Sequence, residues 1–169
     1  LQSNASNTRT VQNNRLPVVT LTDMNNEQVS LRKELYYDGP ILVNFIFTTC
    51  TTICPIMTAT FSQVQSLLGE EIKNVRMVSI SIDPEQDTPE KLRAYAQKFD
   101  AGESWHFLTG NLDDIVMSLK AMDAYRGNKM NHVPVTLIRA SAKADWIRTE
   151  GRTSAEDLVN EYRQLLAKL

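Results

Sequence analysis

The distribution of apolar and polar residues divides the chain into a polar beginning and a longer segment of strand and helix patterns. Residues 1–15 are rich in Asn, Ser and Thr, and we expect them to form a flexible arm or linker. Order is expected to begin at Leu16, so that residues 16–169 form one domain. Apolar and polar residues alternate on both sides of residues 23–26 (DMNN), which predicts a β-hairpin at the start of this domain.

The middle of the chain repeats the pattern of a strand followed by a helix. Residues 41–47 (ILVNFIF) are nearly all apolar, as in a strand that is covered on both faces. Gly69 is a plausible end for the first long helix, and Thr88 and Asn111 are suitable N-caps for the next two. The predicted strands cover residues 41–47, 75–83 and 105–110, and a predicted helix follows each of them.

The last third of the chain predicts two consecutive strands and a closing helix. The strands correspond to HVPVTLIR and ADWIRTE, and the helix is expected to begin at a capping box formed by Thr153 and Glu156. This order of elements predicts an α/β fold. We expect a thioredoxin-like sandwich with a central mixed sheet flanked by helices, parallel in its early half and preceded by the N-terminal β-hairpin.

Composition limits the classes of partner. The 169 residues are 42% hydrophobic and 22% charged, with a formal net charge of -2 and no block of basic residues, so nucleic acid is not expected as a partner. No apolar run approaches the roughly 18 residues that a membrane-spanning helix needs. A membrane anchor or signal peptide would therefore have to precede Leu1. We expect the domain to be a monomer.

Two cysteines, Cys50 and Cys54, are the main candidates for chemistry. They are four residues apart at the point where a predicted buried strand gives way to a helix, and Pro55 follows them. The unpaired N–H groups and partial positive charge at a helix N-terminus stabilise thiolates, which act as nucleophiles or metal ligands. A structural disulfide would close only a short loop and gain little stability. The position therefore favours a redox pair or a metal site, with an inert buried pair as the alternative.

The number of histidines restricts the kind of metal. His106 and His132 are the only two, whereas a closed structural zinc site usually takes four ligands from Cys and His. Two thiolates and one imidazole suit trigonal Cu(I). His132 begins a strand that would lie beside the cysteine strand, so we expect its imidazole to reach the sulfurs. We interpret His106 as a histidine with a structural partner at a strand edge.

Four further residues are candidates for supporting the site. Asp83 could hold the site loop in place, and Asp87 could do the same unless it caps a helix or lies in solvent. Met130, two residues before His132, is either an additional weak sulfur ligand or an ordinary loop residue. Met57 is interpreted as a core residue.

These motifs together resemble the Sco/SenC family of thioredoxin-like copper proteins over residues 16–169. The resemblance rests on CTTICP, on SIDPEQDTPEKLRAYAQKF, on FLTG and on the late histidine before a strand. It implies that Cys50, Cys54 and His132 bind Cu(I) or Cu(II). It also implies that the protein delivers copper to, or reduces, the binuclear copper site of cytochrome oxidase subunit II. Members are typically exported and tethered to the outer face of the cytoplasmic membrane.

The chain departs from the family pattern around its histidine. Asn131-His132-Val133 replaces the usual Asp-His-Ser, and the missing acid should weaken Cu(II) more than Cu(I). Pro134 follows, and in thioredoxins a cis-proline at this place faces the cysteines. Pro134 is therefore a further candidate for the surroundings of the site, and this pattern favours thiol–disulfide exchange.

Three functions remain open from the sequence. The first is a copper chaperone, which captures copper and passes it to a partner, and which is not an enzyme. The second is a thiol–disulfide reductase, in which Cys50 attacks a partner disulfide and Cys54 resolves the mixed disulfide. The third is a redox or copper sensor, in which the disulfide state controls partner binding.

Overall fold

The fold is built around one eight-stranded mixed sheet in the residues that the computed structural model describes, which are 8–12, 15–51, 53–131 and 133–168. The strands are β1 (Thr8–Gln12), β2 (Thr20–Asp23), β3 (Gln28–Ser30), β4 (Ile41–Ile46), β5 (Arg76–Ser81), β6 (Trp105–Thr109), β7 (Val135–Arg139) and β8 (Trp146–Glu150). The helices are α1 (Leu31–Leu35), α2 (Ile53–Leu68), α3 (Pro89–Lys98), α4 (Leu112–Ala121) and α5 (Ala155–Ala167).

The strand order is β1-β8-β7-β4-β5-β6-β2-β3. Strands β4, β5 and β6 are parallel, whereas β7 is antiparallel to β4 and β8 is antiparallel to β7. The predicted mixed sheet with a parallel early half is confirmed. The hairpin predicted around residues 23–26 is also confirmed, because β2 and β3 pair antiparallel across that turn.

Apolar side chains cover both faces of the central strands. Phe61 of α2 and Leu158 of α5 pack with Trp105 and Phe107 on one face, while Leu119 of α4 packs on the other. Every residue of β4 is buried, which explains why its sequence is almost continuously apolar rather than alternating. Asn44 is the polar exception, and its Oδ1 accepts a hydrogen bond from the Ser79 hydroxyl of β5.

Residues 8–12 differ from the flexible arm predicted for residues 1–15. They form β1, an edge strand of the sheet, which pairs antiparallel with β8 from Thr8 opposite Glu150 to Gln12 opposite Trp146. An edge strand is held mainly by backbone hydrogen bonds and needs no apolar face, and Val11 is indeed 60% exposed. The polar composition of this segment therefore did not reveal the strand.

Two helix boundaries also differ from the sequence-based expectations. Helix α5 is capped by Ser154, whose hydroxyl accepts a hydrogen bond from the Asp157 N–H at 3.1 Å, so the capping box predicted at Thr153 and Glu156 is wrong by one residue. Helix α1 was not predicted, because its five residues show only one apolar pair, Leu31 and Leu35. The caps predicted at Thr88 and Asn111 are confirmed.

Candidate functional site

The two cysteines contact each other where the chain enters α2, with Cys50 just before the helix and Cys54 in its first turn. The Cys54 N–H donates a hydrogen bond to Cys50 Sγ at 3.4 Å, and the Cys50 N–H donates to the Phe47 carbonyl at 3.1 Å. Cys50 is 9% exposed and Cys54 is fully buried. The turn after β4 therefore presents Cys50 at the surface side of the pair and places Cys54 against the core.

Burial dominates the acid–base behaviour of Cys54. Removal from water raises the pKa of this thiol well above its ordinary value of 9.0, and contact with Cys50 raises it further, while a backbone hydrogen bond from Phe47 lowers it. The thiolate stabilisation expected from the helix N-terminus is thus outweighed at this residue. Cys54 carries its proton at neutral pH, and any metal that it binds must displace that proton.

The strand predicted to start at His132 is β7, which begins three residues later, at Val135, and is the neighbour of β4 as predicted. Residues 129–131 form a 3₁₀ turn immediately before it, and Asn44 of β4 lies opposite Thr136 of β7. Lys129 Nζ lies 5.7 Å from the centre of the ring of Phe47, and Phe47 precedes Cys50 by three residues. His132 itself lies outside the described residues, so its distance from the sulfurs stays a prediction.

Asp83 connects the end of β5 to the turn before His132. Its Oδ2 forms an ion pair with Lys129 Nζ at 2.8 Å, and its N–H donates to the Ser81 hydroxyl at 3.0 Å. This hydrogen bond raises the pKa of Lys129. Because the Asp83 side chain is only 13% exposed, the ion pair fixes Lys129 at a partly buried position.

Asp87 connects the same segment to the cysteine loop. Its carboxylate accepts hydrogen bonds from the Thr48 N–H at 3.2 Å, from the Thr48 hydroxyl and from the Ser81 hydroxyl at 2.7 Å. Asp87 is fully buried, so the interpretation of this residue as a helix cap or a solvated acid is wrong. A charge at this depth persists only with such a set of donors.

The remaining predicted residues have different positions. Met57 is buried in the core, as expected, and the backbone of Met130 is part of the 3₁₀ turn, although its side chain lies outside the described atoms. Pro134 accepts a hydrogen bond from the Gly151 N–H at 2.9 Å. No peptide bond in the described chain is cis, which overturns the cis-proline pattern suggested for Pro134. His106 Nδ1 contacts Glu34 Oε1 and takes no part in the cysteine site.

Sequence reasoning missed three residues that connect the loops of the site: Thr48, Ser81 and Lys129. Thr48 lies two residues before Cys50, and Ser81 lies two residues before Asp83, so their spacing was available as a signal. Their roles depend on hydrogen bonds to residues 39, 6 and 46 positions away, and single-sequence patterns do not identify such partners.

Within the described ranges, no group of three or more Cys, His, Asp and Glu residues is arranged to hold a metal ion. The third ligand predicted from the sequence, His132, lies outside those ranges. No helix in the same ranges has the length and apolar character needed to cross a membrane.

Curated relatives match parts of the chain, and two of them show the extent of the match. The "SCO1 protein homolog" of Bacillus subtilis (strain 168) is 46% identical over 70 residues, which cover 41% of this chain and 36% of the relative. The "Putative copper-binding protein" of Stutzerimonas stutzeri is 32% identical over 111 residues, which cover 63% of this chain and 51% of the relative. The matched regions thus span about a third to a half of these relatives.

Solved structures match nearly the whole chain. BsSco, described with a disulfide switch and as a member of the Sco family of cytochrome c oxidase assembly proteins, has a TM-score of 0.75 at 26% identity, covering 94% of this chain and 96% of that chain. A SCO1/SenC family lipoprotein from Bacillus anthracis str. Ames has a TM-score of 0.72 at 26% identity, with coverages of 92% and 97%. Copper-bound yeast Sco1 has a TM-score of 0.75 at 19% identity and coverages of 94% and 96%, and shows the shared fold.

The family model described as SCO1/SenC matches residues 14–153, a range that includes the cysteine pair, both aspartates and the β4–β7 neighbourhood. The predicted thioredoxin-like architecture agrees with the Sco structures. With a family match over most of its length and a thiol pair where a buried strand meets a helix, the chain belongs to the SCO1/SenC family.

Proposed function

We propose that this protein binds one copper ion through Cys50, Cys54 and His132 and acts as a copper chaperone. The observation that carries the proposal is the contact between the two cysteines at the start of α2, where the Cys54 N–H donates a hydrogen bond to Cys50 Sγ at 3.4 Å. With Cys50 in the loop before α2 and Cys54 in the first turn of the helix, both sulfurs can face a single ion. The pairing of β7 with β4 brings the segment that flanks His132 to the same end of the sheet.

The donor atoms fit copper better than harder or higher-coordinate metals. Two thiolates and an imidazole suit Cu(I), whereas Mg²⁺ and Ca²⁺ require oxygen ligands and structural Zn²⁺ usually requires four Cys or His ligands. The relative from Stutzerimonas stutzeri is named for copper binding, and yeast Sco1 of the same fold has been solved with copper bound. Both relatives support copper as the cargo of this site.

We further propose that the recipient is the binuclear copper site of cytochrome oxidase subunit II. The match to BsSco, a member of a family of cytochrome c oxidase assembly proteins, supports this assignment. The match to a lipoprotein of Bacillus anthracis supports export of the protein and tethering to the outer face of the membrane through an N-terminal segment. The working protein on this proposal is a monomeric domain held close to its membrane-bound recipient.

Transfer would proceed by exchange of ligands. Copper binding displaces the thiol protons, including that of buried Cys54, and a recipient thiol or imidazole then replaces the ligands of this protein one at a time. Cys50 is the more exposed sulfur and remains accessible to the recipient for longer. Asp83 and Asp87 hold the two loops of the site together during the exchange through Lys129 and Thr48.

Anaerobic titration of the fully reduced protein with Cu(I) tests this proposal. One equivalent should bind tightly, and Cys50→Ala and His132→Ala should each lose at least about tenfold in affinity, as expected when one coordinating ligand is removed. With Cu(II), a thiolate-to-copper absorption band should appear. His106→Ala is the matched control because it removes the other histidine, which contacts Glu34, and it should bind copper as the parent does. Equal affinities in His132→Ala and His106→Ala would contradict the proposed ligand set.

Thiol–disulfide exchange is the second candidate function, and the exposure difference between the two sulfurs favours it. Cys50, at 9% exposure, would attack a partner disulfide, and fully buried Cys54 would then displace the partner from the mixed disulfide. The two thiols lose two electrons and two protons, and the partner disulfide becomes two thiols. The disulfide switch described for BsSco supports this alternative. Normal exchange in His132→Ala, together with no tight copper binding in the parent, would establish it.

A further inference from the structure

A basic cavity lies at the end of the sheet opposite the cysteines. Its volume is about 240 Å³, and we call it the arginine pocket; its lining residues are Arg15, Leu16, Arg32, Leu35, Tyr36 and Arg139. Arg139 ends β7 and lies opposite Ile41 at the start of β4, whereas the cysteines follow the other end of β4. The pocket is therefore separate from the candidate copper site.

Arg139 is the buried arginine of the arginine pocket. It is only 7% exposed, its guanidinium carbon lies 4.3 Å from the centre of the Trp146 ring, and one terminal nitrogen donates to the Leu35 carbonyl. Its Nε is buried and has no hydrogen-bond acceptor in the described chain. A buried donor on a charged group normally has an acceptor, because leaving it without one is costly.

No carboxylate of the described residues forms an ion pair with any of the three arginines of the pocket. Arg32 donates from Nε to the Leu16 carbonyl at 2.8 Å, which holds the start of the ordered domain against α1. Three arginines thus line one cavity in a chain whose net charge is -2. Protein carboxylates do not account for this concentration of positive charge.

We infer that the arginine pocket binds a phosphate-type oxyanion. Guanidinium groups match the geometry of phosphate oxygens and can donate two parallel hydrogen bonds to them. Arg139 contributes a largely buried guanidinium group that has no carboxylate partner in the described chain, and Arg15 and Arg32 contribute two further positive charges. The ligand is inorganic phosphate, a soluble phosphoester or a lipid phosphate, all of which share this chemistry. The inference stands apart from copper binding, because no residue is shared between the two sites.

Calorimetric titration with inorganic phosphate, at constant ionic strength against chloride, tests the inference on the full chain. Saturable binding of one equivalent is expected, and Arg32→Gln should weaken it by roughly tenfold or more, as for the loss of a hydrogen bond to a charged group. Arg139→Lys should also weaken it, because a lysine keeps the charge but loses the fork of donors. Arg163→Gln, which removes an exposed arginine that pairs with Glu71 outside the pocket, is the charge-matched control and should bind phosphate as the parent does.

Vesicles distinguish the sources of the oxyanion. If the ligand is a lipid headgroup, the protein should bind phosphatidylglycerol vesicles but not phosphatidylcholine vesicles, and Arg32→Gln and free phosphate should each abolish that binding. Phosphate binding without vesicle binding would show that the ligand is inorganic phosphate or a soluble phosphoester. Absence of saturable phosphate binding in the parent, or equal weakening in Arg32→Gln and Arg163→Gln, would overturn the inference. Arg15→Gln provides a second exposed variant if Arg139→Lys fails to fold.

Discussion

The carboxylate of Asp87 accepts both the backbone N–H and the hydroxyl of Thr48, a residue 39 positions earlier in the chain. Asp87 also accepts the Ser81 hydroxyl, and Ser81 in turn accepts the N–H of Asp83, which pairs with Lys129. A continuous set of hydrogen bonds thus joins the cysteine loop to the turn before His132. The candidate site is supported by polar groups that do not themselves have to touch copper.

Replacement of Asp87 by Asn should destabilise the protein severely. The amide retains the shape but loses the charge and turns one acceptor into a donor that faces the Thr48 or Ser81 donors. We expect a loss of about 2–4 kcal/mol in the free energy of unfolding, as for a disrupted buried charge network. Urea unfolding of the reduced apoprotein measures it. Asp113→Asn, in the exposed first turn of α4, should lose less than about 1 kcal/mol, since only a helix-dipole interaction is weakened. Similar losses in the two variants would show that the buried network adds no stability.

Removal of the Asp83–Lys129 ion pair should affect copper binding more than stability. The pair is partly exposed and screened by solvent, so its own contribution to folding is small. Its loss frees the turn 129–131 that leads into His132, and we expect Asp83→Asn and Lys129→Gln to weaken Cu(I) binding several-fold. Competition titration with a Cu(I) chelator measures the effect. The double variant should be no worse than either single variant, because both remove the same contact. Additive losses would contradict positioning through this pair.

The stability of the reduced apoprotein should fall above pH 9. The folded-state pKa of Cys54 is raised by burial above its unfolded value of 9.0, so the stabilisation due to this thiol is complete below pH 9 and is lost as the pH rises further. The slope for one group approaches about 1.4 kcal/mol per pH unit. Urea unfolding under anaerobic conditions between pH 8 and about 10 avoids most of the contribution of Tyr95, whose pKa burial raises to about 12. Cys54→Ala should flatten this decline, and an unchanged slope in the variant would exclude Cys54 as its cause.

Deletion of residues 1–12 should leave a folded domain. These residues include the edge strand β1, which pairs with β8 in the described sheet and has an exposed Val11. Because little apolar surface is lost, we expect a decrease of a few degrees in the unfolding temperature and unchanged Cu(I) affinity. Circular dichroism and the copper titration measure the two effects. An unfolded truncated chain would show that the domain proposed for residues 16–169 requires β1.

Features set by nearby residues could be predicted from the sequence. The buried run of β4, the caps at Thr88 and Asn111 and the end of α2 before Gly69 depend on local patterns, and the structure has each of them. Gly69 has a φ of +56°, a conformation that glycine adopts without steric cost. The placement of Cys50 and Cys54 at the start of a helix is likewise local, because the continuous apolar run of a buried strand gives way there to apolar residues at helical spacing.

Features set by distant partners could not be predicted. Nothing local distinguishes Asp87 from a solvated acid, since its burial depends on Thr48 and Ser81. The strand β1 depends on the free edge of β8, and the choice of Ser154 over Thr153 as the cap of α5 depends on how the chain leaves β8. The cysteine pair could be predicted because its spacing is local. The residues that hold its loop could not, because their partners are distant in sequence.

The sequence separation of the site's supports also sets the order in which the protein can mature. The contact between Thr48 and Asp87 spans 39 residues, and that between Asp83 and Lys129 spans 46. Contacts of this range form late, after the intervening β5–α3–β6–α4 segment has docked. During folding, the thiols of Cys50 and Cys54 are therefore exposed before the loops around them are in place. A cell that makes this protein has to keep that pair reduced, and free of adventitious metal, until β7 has joined the sheet.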